Sequence, residues 1–200
     1  VNVPGAGTMF AADYEKPDRD GAEWPTQTLF TWQKGMEYFP DEGVKRVVLE
    51  GRVGMRYRSG KRIVQQDRLP IPALPPEDAG RQVSLDCDLL EAWLSDGDPE
   101  GAEKAADLTH SLAGELGDLT RYKATGGVVL TEGPRRVTGQ TLDHDLETGI
   151  LVVAGDGRAP AEIIDPGIND GRPLRSPRIE CILKDGEITH FEAMDVRTGP

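Results

Sequence analysis

An all-β fold is what the sequence predicts, and three observations carry that expectation. Apolar residues alternate with polar ones at period two in nearly every hydrophobic stretch, which sends one set of side chains to each face of an extended strand. Turn formers are abundant. With 24 Gly and 15 Pro against 37% hydrophobic residues in a chain of 200, the composition suits many strands joined by turns better than packed helices. Several alternating runs are also separated by Asp-Gly or Thr-Gly, where Gly supplies the positive φ of a tight hairpin.

In chain order, Phe30, Trp32, Met36 and Tyr38 share one parity, with Lys34 as the interruption, and Asp41-Glu42-Gly43 turns the chain back. The return strand has Val47, Leu49, Gly51, Val53, Met55 and Tyr57 on one face and the mainly charged Val48, Glu50, Arg52, Gly54 and Arg56 on the other. Val83, Leu85, Cys87, Leu89 and Trp93 form the next stripe. Ala124, Gly126, Val128 and Leu130 alternate with Thr125, Gly127, Val129 and Thr131 until Gly133-Pro134 ends the strand. Thr138–Leu146 and Ile150–Ala154 flank the turn Glu147-Thr148-Gly149. Ile179, Cys181 and Leu183 pass through Lys184-Asp185-Gly186-Glu187 into a strand on which Ile188, His190 and Met194 share a face, with His190 expected as a hydrogen-bonded core residue.

Two segments break the pattern. Arg68–Gly80 carries Pro70, Pro72, Pro75 and Pro76 and reads as an extended loop. Asp96–Asp118 is acidic and rich in Ala and Gly. Pro99 near its start and Leu108, Leu112 and Leu116 four apart predict a short helix there, with a flexible linker as the other reading. The chain therefore divides into an N-terminal connecting segment (1–27), a first β unit (28–95), an acidic insertion (96–119) and a second β unit (120–200). The two units echo each other: Gly51-Arg52-Val53-Gly54-Met55 matches Gly126-Gly127-Val128-Val129-Leu130, and Leu85–Leu89 matches Ile179–Leu183. A small β unit buries its apolar face poorly alone, so the repeats are expected to stack.

A formal charge of -12 argues against a nucleic-acid partner, because phosphate binding needs a basic face. No run approaches the ~20 apolar residues of a membrane-spanning helix, and Val1–Phe10 does not read as a signal peptide. The start lacks an initiator Met, so the chain reads as part of a longer protein. Cys87 and Cys181 could pair or could be two buried thiols; without a C-x-x-C pair, zinc and thioredoxin chemistry are not indicated. His110, His144 and His190 show no metal or triad spacing. Asp143-x-Asp145-x-Glu147 has Gly149 one place late for a calcium loop and Ala154 where that loop needs Glu, so a hairpin explains it better. Neither catalysis, a metal nor a cofactor is expected.

Ala124 to Gly155, A-T-G-G-V-V-L-T-E-G-P-R-R-V-T-G-Q-T-L-D-H-D-L-E-T-G-I-L-V-V-A-G, is similar to the repeat of the OstA-like family, the lipopolysaccharide-transport bridge proteins of the cell envelope. His144 takes the place of that repeat's usual aromatic residue. Leu49-Glu50-Gly51-Arg52-Val53-Gly54-Met55 resembles a second occurrence, preceded by the similar strand Phe30-Thr31-Trp32-Gln33-Lys34-Gly35-Met36-Glu37-Tyr38.

The resemblance implies a β-jellyroll, two facing antiparallel sheets in an open V with one short helical insertion, working in the periplasm without catalytic residues or cofactor. It implies an amphipathic lipid such as lipopolysaccharide as partner, with neighbouring modules meeting at the sheet edges. Candidate ligand-binding residues are Phe30, Trp32, Met36, Val53, Met55, Val128 and Leu130 for alkyl contact, and Arg56 and Arg58, from the densest basic stretch, for an anionic head group. Two other functions compete: a structural or adhesive β-repeat scaffold without ligand, which a filled interior favours, and a carbohydrate-active β-sandwich, which a cleft with facing carboxylates favours.

Overall fold

The computed structural model describes residues 1–13, 26–41, 44–60, 79–95, 118–184 and 187–194. The alternating runs are strands: β1 (Asn2–Pro4), β2 (Gly7–Asp13), β3 (Thr26–Trp32), β4 (Gly35–Asp41), β5 (Val44–Gly60), β6 (Ala79–Ser95), β7 (Asp118–Glu132), β8 (Arg135–Asp145), β9 (Ile150–Ala154), β10 (Ala161–Ile164), β11 (Leu174–Ser176), β12 (Arg178–Lys184) and β13 (Glu187–Met194). A single 3-10 turn, Asn169–Gly171, is the only helical element among the described residues. The helix expected in the acidic insertion falls on 96–117, outside the described residues. Residues 1–27, expected to be connecting chain, supply β1 and β2.

All the pairings are antiparallel and join into one 13-stranded, unclosed sheet. Its long strands are creased at a common level. The register of β5 against β6 slips between Glu50 and Val53, that of β6 against β7 between Asp86 and Leu89, and that of β7 against β8 between Thr125 and Val128. Beside β5 the crease continues as the step from β3 to β4, where the amides of Gln33 and Lys34 donate to the carbonyls of Gly51 (2.7 Å) and Glu50 (2.9 Å). Extra residues in a strand bend it, and bulges aligned on neighbours bend the whole sheet.

The crease divides the sheet into two leaves. The first runs β1-β4-β5-β6-β7-β8-β9-β12-β13 through the 44–50, 89–95, 118–125 and 141–145 parts of the long strands. The second runs β2-β3-β5-β6-β7-β8-β10-β11 through 53–60, 79–87, 128–132 and 135–139. The ladder between β6 and β7 joins the two sequence units, so the sheet passes from one to the other without a break. One face of each leaf is buried in a shared apolar cluster.

On β5, Val47, Leu49, Val53, Met55 and Tyr57 all face inward, as the alternation predicts. On β6 the slip at the crease reverses the parity. Val83, Leu85 and Cys87 point inward on one side of it, and Leu90, Ala92 and Leu94 on the other, so Leu89 and Trp93 are not part of the inner stripe that plain alternation assigns them. β13 shows the same effect. Ile188 pairs with Leu183 but His190 pairs with Ile182, leaving Thr189 as the bulged residue. His190 is therefore exposed, its Nε2 3.6 Å from Glu192 Oε1, and not a core residue; Phe191, opposite Cys181, takes the inner face. Cys87 and Cys181 are both buried free thiols.

Candidate functional site

Among the described residues, a small apolar cavity lies at the crease, on the inner face of both leaves. Phe30, Met55, Leu85 and Leu130 line it from the second leaf and Leu90, Ala92, Leu119 and Tyr122 from the first. Side chains from both sides of the crease therefore border one space. It has a volume of about 20 Å³, room for one water. The walls are already nearly in contact.

Of the residues expected to touch ligand, Phe30, Met55 and Leu130 line this cavity. Trp32, Val53 and Val128 are buried in the same cluster without reaching the cavity, and Met36 packs against its margin on β4. Arg56 and Arg58 alternate with Met55 and Tyr57 and so stand on the opposite face of β5. Arg56 is half-exposed; Nη2 donates to Asp86 Oδ1 at 2.7 Å and Nη1 to the carbonyls of Met55 (2.8 Å) and Leu85 (3.2 Å). Arg58 holds the buried Gln27 Oε1 through Nε (3.0 Å) and Nη2 (2.7 Å). Both guanidinium groups are thus engaged outside the interior. Leu90, Ala92, Leu119 and Tyr122 were hidden from sequence reasoning by the parity reversal on β6 and a second slip between Trp93 and Leu94 that re-phases the start of β7.

A few polar atoms are buried in this apolar setting. His144, 5% exposed, sets Nδ1 3.2 Å from the Tyr122 hydroxyl, the two rings meeting edge-on at 5.3 Å between centroids. The imidazole thus packs as an aromatic ring and is tied by its nitrogen. On β3, the Thr28 hydroxyl and the Trp32 indole N–H are buried without a hydrogen-bond partner. They flank Phe30 on the same face of the strand.

The remaining chemistry is structural in character. At the far end of the second leaf, Arg81 Nε meets Glu132 Oε1 at 2.5 Å, Glu132 Oε2 meets Arg135 Nη1 at 3.2 Å, and Arg135 Nε meets Asp165 Oδ2 at 2.6 Å. These side chains are mostly buried, so the alternating charges bind β6, β7, β8 and the end of β10 together. On the outer face of the first leaf, directly paired residues form a row: Arg46 lies 4.5 Å over Phe39 and Arg121 5.3 Å over Trp93. Burial, with Asp86 and Asp88 beside it, pushes the Cys87 thiol up to about 12; burial pushes Cys181 up to about 11 against the pull of Arg135. Neither is a nucleophile near neutral pH. Among the described residues no group of three or more His, Cys, Asp or Glu gathers to hold a metal ion, and no helix is long and apolar enough to cross a membrane.

No protein-family model matches the chain, and neither the curated proteins nor the solved structures contain a match.

Proposed function

We propose that the chain is a non-enzymatic module of the cell envelope, resident in the periplasm, that binds or guides an amphipathic lipid such as lipopolysaccharide between its two leaves. The observation that carries this reading is that, among the described residues, the apolar inner face of the first leaf runs to both of its edges, β1 and β13, and is exposed there. At one edge Val3 of β1, paired with Met36 and through it in line with Leu49, is 39% exposed. At the other, Phe191 of β13, in line with Cys181, is 40% exposed. An inner face that ends in exposed apolar groups and unpaired strand edges is completed by another sheet, so neighbouring modules of the same kind are the expected partners. Stacked in this way, the interiors make one apolar path. Alkyl chains fit such walls, and Met55 and Leu130 are flexible enough to yield to them.

The present cavity is too small for a chain, so loading requires the leaves to part about the crease. A titration of the intact protein with a fluorescent acyl probe, displaced by purified lipopolysaccharide, tests the reading. Saturable binding that Ala92→Phe abolishes by filling the cavity supports it. The absence of saturable binding favours the second reading, a β-repeat scaffold with a closed core, for which the near-filled interior is the specific observation.

A further inference from the structure

We infer that the interior takes an oxygenated acyl chain, one bearing ester or amide carbonyls, and not a bare hydrocarbon; the inference rests on the lipid reading above. The carriers are the Thr28 hydroxyl and the Trp32 indole nitrogen. Thr28 is 1% exposed and Trp32 5%, and neither polar atom has a partner. Buried polar groups almost always find one, in the protein, in ordered water or in a ligand. Both residues share the inner face of β3 with Phe30, which lines the cavity. Their places follow from the sheet. Thr28 stands directly opposite Tyr57 on β5, away from the crease. Trp32 ends β3 at the crease and lays its indole over Gly7 of β2, where a Cβ would stand 3.0 Å from Nε1.

The indole decides the ligand class. Its N–H can only donate, so the atom it lacks is an acceptor; a threonine hydroxyl can donate to a second acceptor. At about 3.4 Å per residue along a strand, the two stations lie roughly 14 Å apart with Phe30 between them. One oxygen cannot serve both. A chain lying along β3 with an oxygen near each end, and methylenes against Phe30 and Met55, satisfies both stations and the apolar stretch between them. A hydrocarbon would leave both donors as they are.

The test is competition of the intact protein's bound acyl probe by dimethyl dodecanedioate, a chain with an ester at each end, and by an alkane of the same number of heavy atoms, repeated with Thr28→Val and Trp32→Phe. The expected result is an ester preference of about tenfold, the worth of one well-made hydrogen bond in an apolar site, that shrinks in either variant while alkane competition is retained. Retained alkane competition shows that the variants are folded. Equal competition by ester and alkane in the unaltered protein overturns the inference and leaves the lipid reading standing. A preference that survives in both variants removes Thr28 and Trp32 from it. If neither compound competes and no probe binds, the inference falls together with the reading on which it rests.

Discussion

The side chain of Asp88 on β6 occupies the space that a Cβ at Gly126 of β7 would need. The two residues sit on adjacent strands at the crease, where each ladder slips. Gly126 also has φ +85°, a conformation in which a side chain is strained. Glycine here serves the bend directly: it lets the strand turn while its neighbour's carboxylate packs against bare backbone.

Gly126→Ala should therefore cost more than 2 kcal/mol, combining backbone strain with overlap. Gly127 also has positive φ, +54°, but a Cβ there meets nothing within 4 Å. Gly127→Asn should cost under about 1 kcal/mol, since Asn tolerates the left-handed region. Urea unfolding of the two variants makes the comparison, and equal losses would contradict the account of the crease.

The inward and outward faces of β7 make a second contrast. Val128 is almost fully buried, while Thr131, opposite Arg136 and Ser84, belongs to the outer face. Val128→Asp should cost several kcal/mol as an unpaired buried charge, and Thr131→Asp should be nearly neutral. Thermal or urea unfolding reads both, and a register slipped by one residue would reverse the order.

Much of this arrangement is legible in the sequence, and the faces that alternation misassigns have one physical cause. Val53 and Met55, like Val128 and Leu130, follow simple alternation and are buried. The likeness of Gly51-Arg52-Val53 to Gly126-Gly127-Val128 also has a structural counterpart, since both triplets mark where β5 and β7 cross the crease. Alternation fails where a bulge inserts an odd residue. Leu90 and Ala92 lie beyond such a point on β6, and His190 and Phe191 beyond Thr189 on β13, so their faces are the reverse of what the stripe predicts. A bulge has no composition of its own at Cys87-Asp88 or Ile188-Thr189; neighbouring strands impose it. The cavity was half visible for the same reason. Phe30, Met55 and Leu130 lie where parity is kept, whereas Leu90, Ala92 and Tyr122 depend on the slips.

The thiols give a pH prediction. Burial first, and then Asp86 and Asp88, hold Cys87 neutral up to about 12, against an ordinary value of 9.0. The unfolded chain ionises near the ordinary value, so the folded state keeps this contribution below about pH 9 and loses it progressively as pH rises toward 12. At pH 10, one unit above the unfolded value, the loss from Cys87 is about 1.4 kcal/mol. Unfolding free energies at pH 8 and pH 10 should therefore fall more steeply for the unaltered protein than for Cys87→Ala. Equal slopes would show that the thiol ionises alike in both states.

The central claim, that an acyl chain lies between the leaves, is tested most directly by where the chain sits. Trp32 is buried on the inner face, and Trp93 stands on the outer face beneath Arg121. In variants of the intact protein that keep one of these two as the only tryptophan, the measurement is fluorescence quenching by an acyl chain brominated near its midpoint. The account predicts saturable quenching of Trp32 and none of Trp93 beyond that of free bromide. Quenching of Trp93 alone, or of both residues to the same degree, would contradict it.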